Sequence, residues 1–143
     1  GVPHIPFEAL DENYVIDREA YLSYFRKMHH LFPKCKKMVM AVRNQIASSH
    51  HTLSGLLYDA VEDQLYTTRI YDIEPIVDPM GVGDAFVAAY IHAHQKWGDK
   101  NQYCLDFSLS ASAIKNTIPG DQNLVSEEEI ISNMTSSGGR IQR

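Results

Sequence analysis

Apolar residues recur at helical spacing between Asp17 and Leu31, at Tyr21, Phe25, Met28 and Leu31, with Leu22 and Tyr24 alongside. That period describes a helix with one dry face. Asp17 stands where an N-cap is needed, and Pro33 stops the helix. Lys37 to Val42 is a short apolar run of strand length, and the polar stretch Arg43 to His51 reads as a loop. Two strand-like runs follow, Thr52–Tyr58 and Gln64–Tyr71, and Asp59–Asp63 between them reads as a hairpin connection. A third apolar segment, Ile73–Val77, leads into Asp78-Pro79-Met80-Gly81-Val82-Gly83-Asp84. Ala85–Trp97 is a strong helix pattern ended by Gly98. Tyr103–Lys115 is a second helix, rich in Ala and Ser, closed by Pro119-Gly120. Ser126-Glu127-Glu128-Glu129 resembles a capping box with an acidic first turn, opening a last helix to about Met134.

Strands and helices therefore mix, and the fold class is α/β. A chain of 143 residues suffices for one domain with a real core, here 1–143. Residues 1–16, rich in Pro and acidic groups, read as an irregular lead-in, and 135–143 as a mobile tail. With 44% hydrophobic and 22% charged residues, the composition is that of a soluble globular protein rather than a disordered one. A net charge of −5 argues against a nucleic-acid partner, which would call for a basic face. The densest basic run, Lys34-Cys35-Lys36-Lys37, reads as a solvated turn before a strand. No apolar stretch approaches the roughly 18 residues of a membrane span, so no membrane partner is expected. Cys35 and Cys104 lie far apart without a metal-binding spacing, which fits reduced thiols in a cytoplasmic protein. Gly1-Val2-Pro3-His4-Ile5-Pro6 lacks the pattern of a signal peptide, and the missing initiator Met reads as a processed or excised segment.

The chemistry concentrates in Gly81-Val82-Gly83-Asp84 and the helix after it. Glycines let a backbone turn tightly and bring N–H groups close to a ligand with no Cβ in the way. A helix beginning there leaves its first N–H groups unpaired and carries partial positive charge at that end. Together they form an anion hole suited to a phosphoryl group. The Asp84 carboxylate beside it can accept the proton of an attacking hydroxyl. As bare spacing, the same residues also fit an ordinary strand-to-helix turn capped by Asp84. No Gly-Lys-Ser/Thr follows, so this is not a Walker A loop.

Asp78-Pro79-Met80-Gly81-Val82-Gly83-Asp84-Ala85-Phe86 resembles the C-terminal signature of the ribokinase-like (PfkB) sugar kinases, Asp-Thr-x-Gly-Ala-Gly-Asp-x-Phe. Pro79, Met80 and Val82 depart from its commonest residues. Ala111-Ser112-Ala113-Ile114-Lys115-Asn116-Thr117-Ile118-Pro119-Gly120-Asp121 is similar to the stretch that follows in the 2-keto-3-deoxygluconate kinases of that family. Val42-Arg43-Asn44-Gln45-Ile46-Ala47-Ser48-Ser49-His50-His51 resembles their strand end and nucleotide-bordering loop, although Gly is usual where Arg43 stands. Gly139-Arg140-Ile141-Gln142-Arg143 matches their usual end.

The resemblance implies the C-terminal part of a three-layer α/β/α fold, with a partial sheet, a β-hairpin and flanking helices. It implies transfer of the ATP γ-phosphate, with Mg2+, to a small sugar or sugar acid, 2-keto-3-deoxygluconate foremost. Gly81, Val82 and Gly83 would form the anion hole, and Asp84 would be the base. Val42, Arg43 and Asn44, with Gly81 and Gly83, would border the nucleotide, and Asp84 and Asp121 would meet the sugar. Such kinases are about twice this length. The isolated chain is therefore expected to be inactive, to form a homodimer or to pair with an N-terminal half. The other reading is a catalytically incompetent nucleotide-binding or dimerising fragment.

The remaining side chains suggest less. His92 and His94 stand two apart on a helix and share no face, so no protein metal site is expected. His29-His30 suits a helix C-terminus. Tyr58, Tyr66, Tyr71 and Tyr90 read as packing or as an adenine platform. Ser48-Ser49-His50 lacks the nucleophile elbow of a hydrolase.

Overall fold

The computed structural model describes residues 16–78, 81–117 and 126–135, and the backbone of 140–141. In chain order the elements are α1 (Arg18–Leu31), β1 (Lys37–Ala47), β2 (His50–Asp59), β3 (Gln64–Thr67), β4 (Tyr71–Ile73), α2 (Val82–Trp97), α3 (Asn101–Lys115), α4 (Glu127–Thr135) and β5 (Arg140–Ile141). One sheet runs β1-β2-β4-β5, with β3 also paired to β2. β1, β3 and β4 are antiparallel to β2, and β5 is parallel to β4.

From His51 to Asp59 every residue of β2 is buried. Alternate side chains of a strand point to opposite faces, so β2 supplies two cores. Leu53 and Leu57 join Tyr71, Ile73, Phe86 and Leu105 on the face covered by α2 and α3. Leu56 and Tyr58 join Leu65, Tyr21 and Phe25 on the face covered by α1, where the Phe25 and Tyr58 rings stack at 5.7 Å. The result is three layers, helix, sheet and helices.

α1 begins and ends where its local signals place it. Asp17 Oδ1 accepts from the Ala20 N–H at 3.2 Å, and the helix closes at Phe32, before Pro33. α3 is buried without a break from Phe107 to Asn116. The sheet, α2 and α4 press on it from different sides, and small Ala and Ser residues let them come close. Gly55 of β2 lies under α3, and a Cβ built there would stand 3.2 Å from Leu105 Cδ1 and from Thr68 Cγ2. Thr68 interrupts the edge between β3 and β4, yet its Oγ1 accepts from the Gly55 N–H at 2.9 Å and its own N–H donates to the Gly55 carbonyl at 3.0 Å. No backbone group of Gly55 is left unpaired there.

Two expectations change. Arg43–His51 is not a loop: β1 continues to Ala47 and pairs Arg43 with Leu53, Asn44 with Thr52 and Gln45 with His51. Its exposed polar side chains hid a strand that the ladder to β2 imposes. The single strand-like run Gln64–Tyr71 is divided, with β3 ending at Thr67 and β4 starting at Tyr71. Within the tail, Arg140 and Ile141 form β5, with Arg140 opposite Asp72 and Ile141 opposite Ile73. The lead-in 1–15 and the rest of the tail beyond Thr135 lie outside the described residues. No helix among the described residues is long and apolar enough to cross a membrane.

α1 is tied to the β2–β3 turn by a forked ion pair. Arg26 Nε and Nη2 donate to the two Asp63 carboxylate oxygens at 3.0 and 2.9 Å, and the Tyr58 hydroxyl donates to Oδ1 at 2.6 Å. These donors, Arg26 first, hold the Asp63 carboxyl down at about 2, below its ordinary 3.8.

Two outcomes follow from this packing. Gly55→Val should lower stability by about 1–3 kcal/mol through overpacking beneath α3, read as a lower denaturant midpoint. An unchanged midpoint would mean that α3 does not rest on Gly55. A depressed folded-state pKa gives stability that is present above the unfolded value and lost as pH falls through the folded one. The stability difference between wild type and Asp63→Asn should therefore be full above 3.8 and shrink as the pH approaches about 2. A difference that stays constant over that range would refute the linkage.

Candidate functional site

β4 ends at Ile73, and the chain turns toward α2 through a segment held from two sides. The Ile76 N–H donates to the Ser49 carbonyl at the tip of the β1–β2 hairpin, at 2.9 Å. The Val77 and Asp78 N–H groups both donate to the Asn116 carbonyl at the end of α3, at 2.9 and 3.2 Å. His50 of the hairpin secures the same region, facing Asp72 with Nε2 and Glu74 with Nδ1.

Gly81 is the N-cap of α2, in the left-handed region at φ 81°, which a Cβ-bearing residue would occupy only with strain. Its carbonyl accepts from the Ala85 N–H at 2.8 Å, so the N–H groups of Val82, Gly83 and Asp84 precede the first intrahelical bond. Gly81 offers no side chain to cap them. Gly83 is exposed, and a Cβ built on it would meet none of the described residues within 4 Å. Three amides at the positive end of a 16-residue helix, with open space at the middle one, can receive an anion.

Asp84 is exposed in this first turn. The helix starts at Val82 rather than at Ala85, so Asp84 is not the cap residue and the plain Asp-capped turn is excluded. Its carboxylate has no hydrogen-bond or ion-pair partner among the described residues, and can act as a proton acceptor beside the amides.

Val42, Arg43 and Asn44 sit on β1, opposite Ser54, Leu53 and Thr52 of β2. Val42 turns into the core beneath α1, while the Arg43 side chain is exposed. The Arg43 charge acts with burial, the larger cause, to push the His51 imidazole below its ordinary range. Among the described residues no hydrogen bond or ion pair joins Arg43 to Asp84. Asp121 lies outside the described residues. The tyrosines pack: Tyr58 against Phe25, Tyr71 under the Arg69 guanidinium at 4.4 Å, and Tyr90 against the core beneath α2. No group of three His, Cys, Asp or Glu among the described residues is arranged to hold a metal ion. Two residues outside the predicted site set hold this region: Ser112, whose hydroxyl donates to the Val82 carbonyl at 3.0 Å, and Asn116, whose carbonyl receives the Val77 and Asp78 N–H groups. In an Ala/Ser-rich helix a bonding serine looks like any other small residue.

No family model and no curated protein matches the chain. Solved structures do. A 2-dehydro-3-deoxygluconokinase from Thermotoga maritima is similar with a TM-score of 0.78 and 29% identity, over 84% of this chain and 35% of the other. A PfkB family carbohydrate kinase from Listeria grayi gives 0.74 and 29%, over 84% and 39%. A protein from Enterococcus faecalis, 16% identical with a TM-score of 0.68, adds support for the fold alone. The chain has the fold of a C-terminal portion of the PfkB carbohydrate kinases, and spans somewhat over a third of the length of those it matches.

Gly83→Ala should stabilise the protein by up to about 1 kcal/mol, since helix propensity improves and the methyl enters open space. The same methyl should weaken binding of a phosphate-bearing ligand. A melting temperature that falls would show that the space above Gly83 is not open.

Proposed function

We propose that this chain is the phosphate-handling portion of an ATP-dependent carbohydrate kinase acting on a small sugar or sugar acid, with 2-keto-3-deoxygluconate the leading substrate. The observation that carries the reading is the first turn of α2. A left-handed glycine cap, three leading amides and an exposed carboxylate stand together there, with room for a ligand over Gly83. The T. maritima relative, named as a 2-dehydro-3-deoxygluconokinase, supports the substrate.

In this reading the amides of the Gly81–Asp84 turn receive the γ-phosphoryl oxygens. Asp84 takes the proton of the sugar hydroxyl as its oxygen bonds to phosphorus, and the bond from phosphorus to the ADP oxygen breaks. Mg2+ would come with the nucleotide, held chiefly by phosphate oxygens and water. Arg43 within β1 would offer charge to the nucleotide, and Asp121 would face the sugar. The two free thiols, Cys35 and Cys104, suit a cytoplasmic enzyme. Further kinase structure would extend the sheet from β1, which ends the strand order among the described residues and packs apolar side chains on both faces.

Titration of Mg·ATP into the folded chain tests this directly. Saturable binding should persist in Asp84→Asn and be lost in Gly83→Val. In a complete kinase that contains this chain, Asp84→Asn should slow phosphorylation of 2-keto-3-deoxygluconate by about 10²–10⁴-fold with little change in nucleotide affinity. Undiminished turnover would remove Asp84 as the base, and no saturable binding to the folded chain would remove the anion site.

A further inference from the structure

Three buried serines alternate along α3, and each hydroxyl goes to a different place. Ser108 Oγ donates to the Cys104 carbonyl of its own helix at 2.6 Å. Ser110 Oγ donates to the Ile130 carbonyl of α4 at 2.8 Å. Ser112 Oγ donates to the Val82 carbonyl in the first turn of α2 at 3.0 Å. All three are 0% exposed. One turn further on, the Asn116 carbonyl receives the Val77 and Asp78 N–H groups, and Asn116 Nδ2 donates to the Ser112 carbonyl at 3.0 Å. The last turn of α3 thus holds both sides of the glycine turn, its entry at 77–78 and its exit at Val82, and links the two holds to each other.

We propose that Ser112 and Asn116 are positioning residues that fix the Gly81–Asp84 turn for anion recognition. An anion hole works only if its N–H groups already point to one place, because reorienting them on binding consumes the interaction they supply. Gly81 and Gly83 let the turn adopt its shape and equally let it leave that shape. Contacts from a rigid neighbour must supply what the glycines give up, and α3, buried on all sides at this level, is that neighbour. Val82 serves as the handle: its N–H belongs to the open first turn while its carbonyl is gripped from α3. The positioning holds whatever the ligand; its use for a phosphoryl group rests on the kinase reading.

Ser112→Ala can be compared with Ser110→Ala, which loses an equally buried interhelical bond elsewhere on α3. Two measurements are made on each: amide hydrogen exchange along α2, and calorimetric titration with Mg·ATP. Ser112→Ala should speed exchange selectively at Ala85 and Phe86, whose N–H groups close the first helical bonds onto the Gly81 and Val82 carbonyls, and weaken Mg·ATP binding about tenfold. Ser110→Ala should leave both unchanged even where its melting temperature falls as far. Identical exchange at Ala85 and Phe86 in the two variants would overturn the inference and leave Ser112 a packing residue. Selective exchange without any Mg·ATP binding by the wild type would uphold the positioning while removing the kinase reading.

Discussion

Strand β2 must be dry on both faces, because its side chains from His51 to Asp59 are all buried and alternate between two cores. A strand in that position needs neighbours on both edges for its backbone and a helical layer on each side for its side chains. β1 serves one edge, and β3 and β4 share the other, with Thr68 bridging the gap between them through Gly55. α1 closes one face with Tyr21 and Phe25. α3 closes the other, and comes close enough that Gly55 beneath it has little room for a side chain.

The same demand shapes the site. α3 is pressed between the sheet, α2 and α4, so it is built from small residues whose hydroxyls must find partners inside the protein. One of those partners is the first turn of α2, and the end of α3 also receives the backbone that leads into the glycine turn. The turn is flexible by composition and fixed by its surroundings, which is the combination a charge-binding loop requires. Asp84 then stands on a helix rather than on a free loop, exposed beside amides that carry the positive end of the helix.

The likeness to PfkB carbohydrate kinases covers most of this chain and little more than a third of theirs. That proportion agrees with the sheet. β1 lies at its margin among the described residues, yet Val39 packs on one face and Met38, Met40 and Val42 on the other, in the manner of an interior strand. The glycine turn and the helix that holds it both come from the segment between β4 and the end of α3.

Local signals were enough wherever an element is defined by its own residues. The Asp17 cap, the helical period through Phe25 and the stop at Pro33 bound α1 correctly, and the run from Gly81 to Asp84 marked the turn. They were not enough where a partner decides. The polar residues Arg43, Asn44 and Gln45 form strand because β2 lies alongside, and Val82 to Asp84 are helical although two glycines would suggest loop, because Gly81 caps the helix and α3 holds Val82. β5 exists only through its pairing with β4, and the roles of Ser112 and Asn116 only through the crossing of α3 with the turn. Chain chemistry by itself determined which residues could bind an anion or accept a proton. The tertiary structure decided where those groups point, since a hydrogen bond between distant segments has no trace in the spacing of either one.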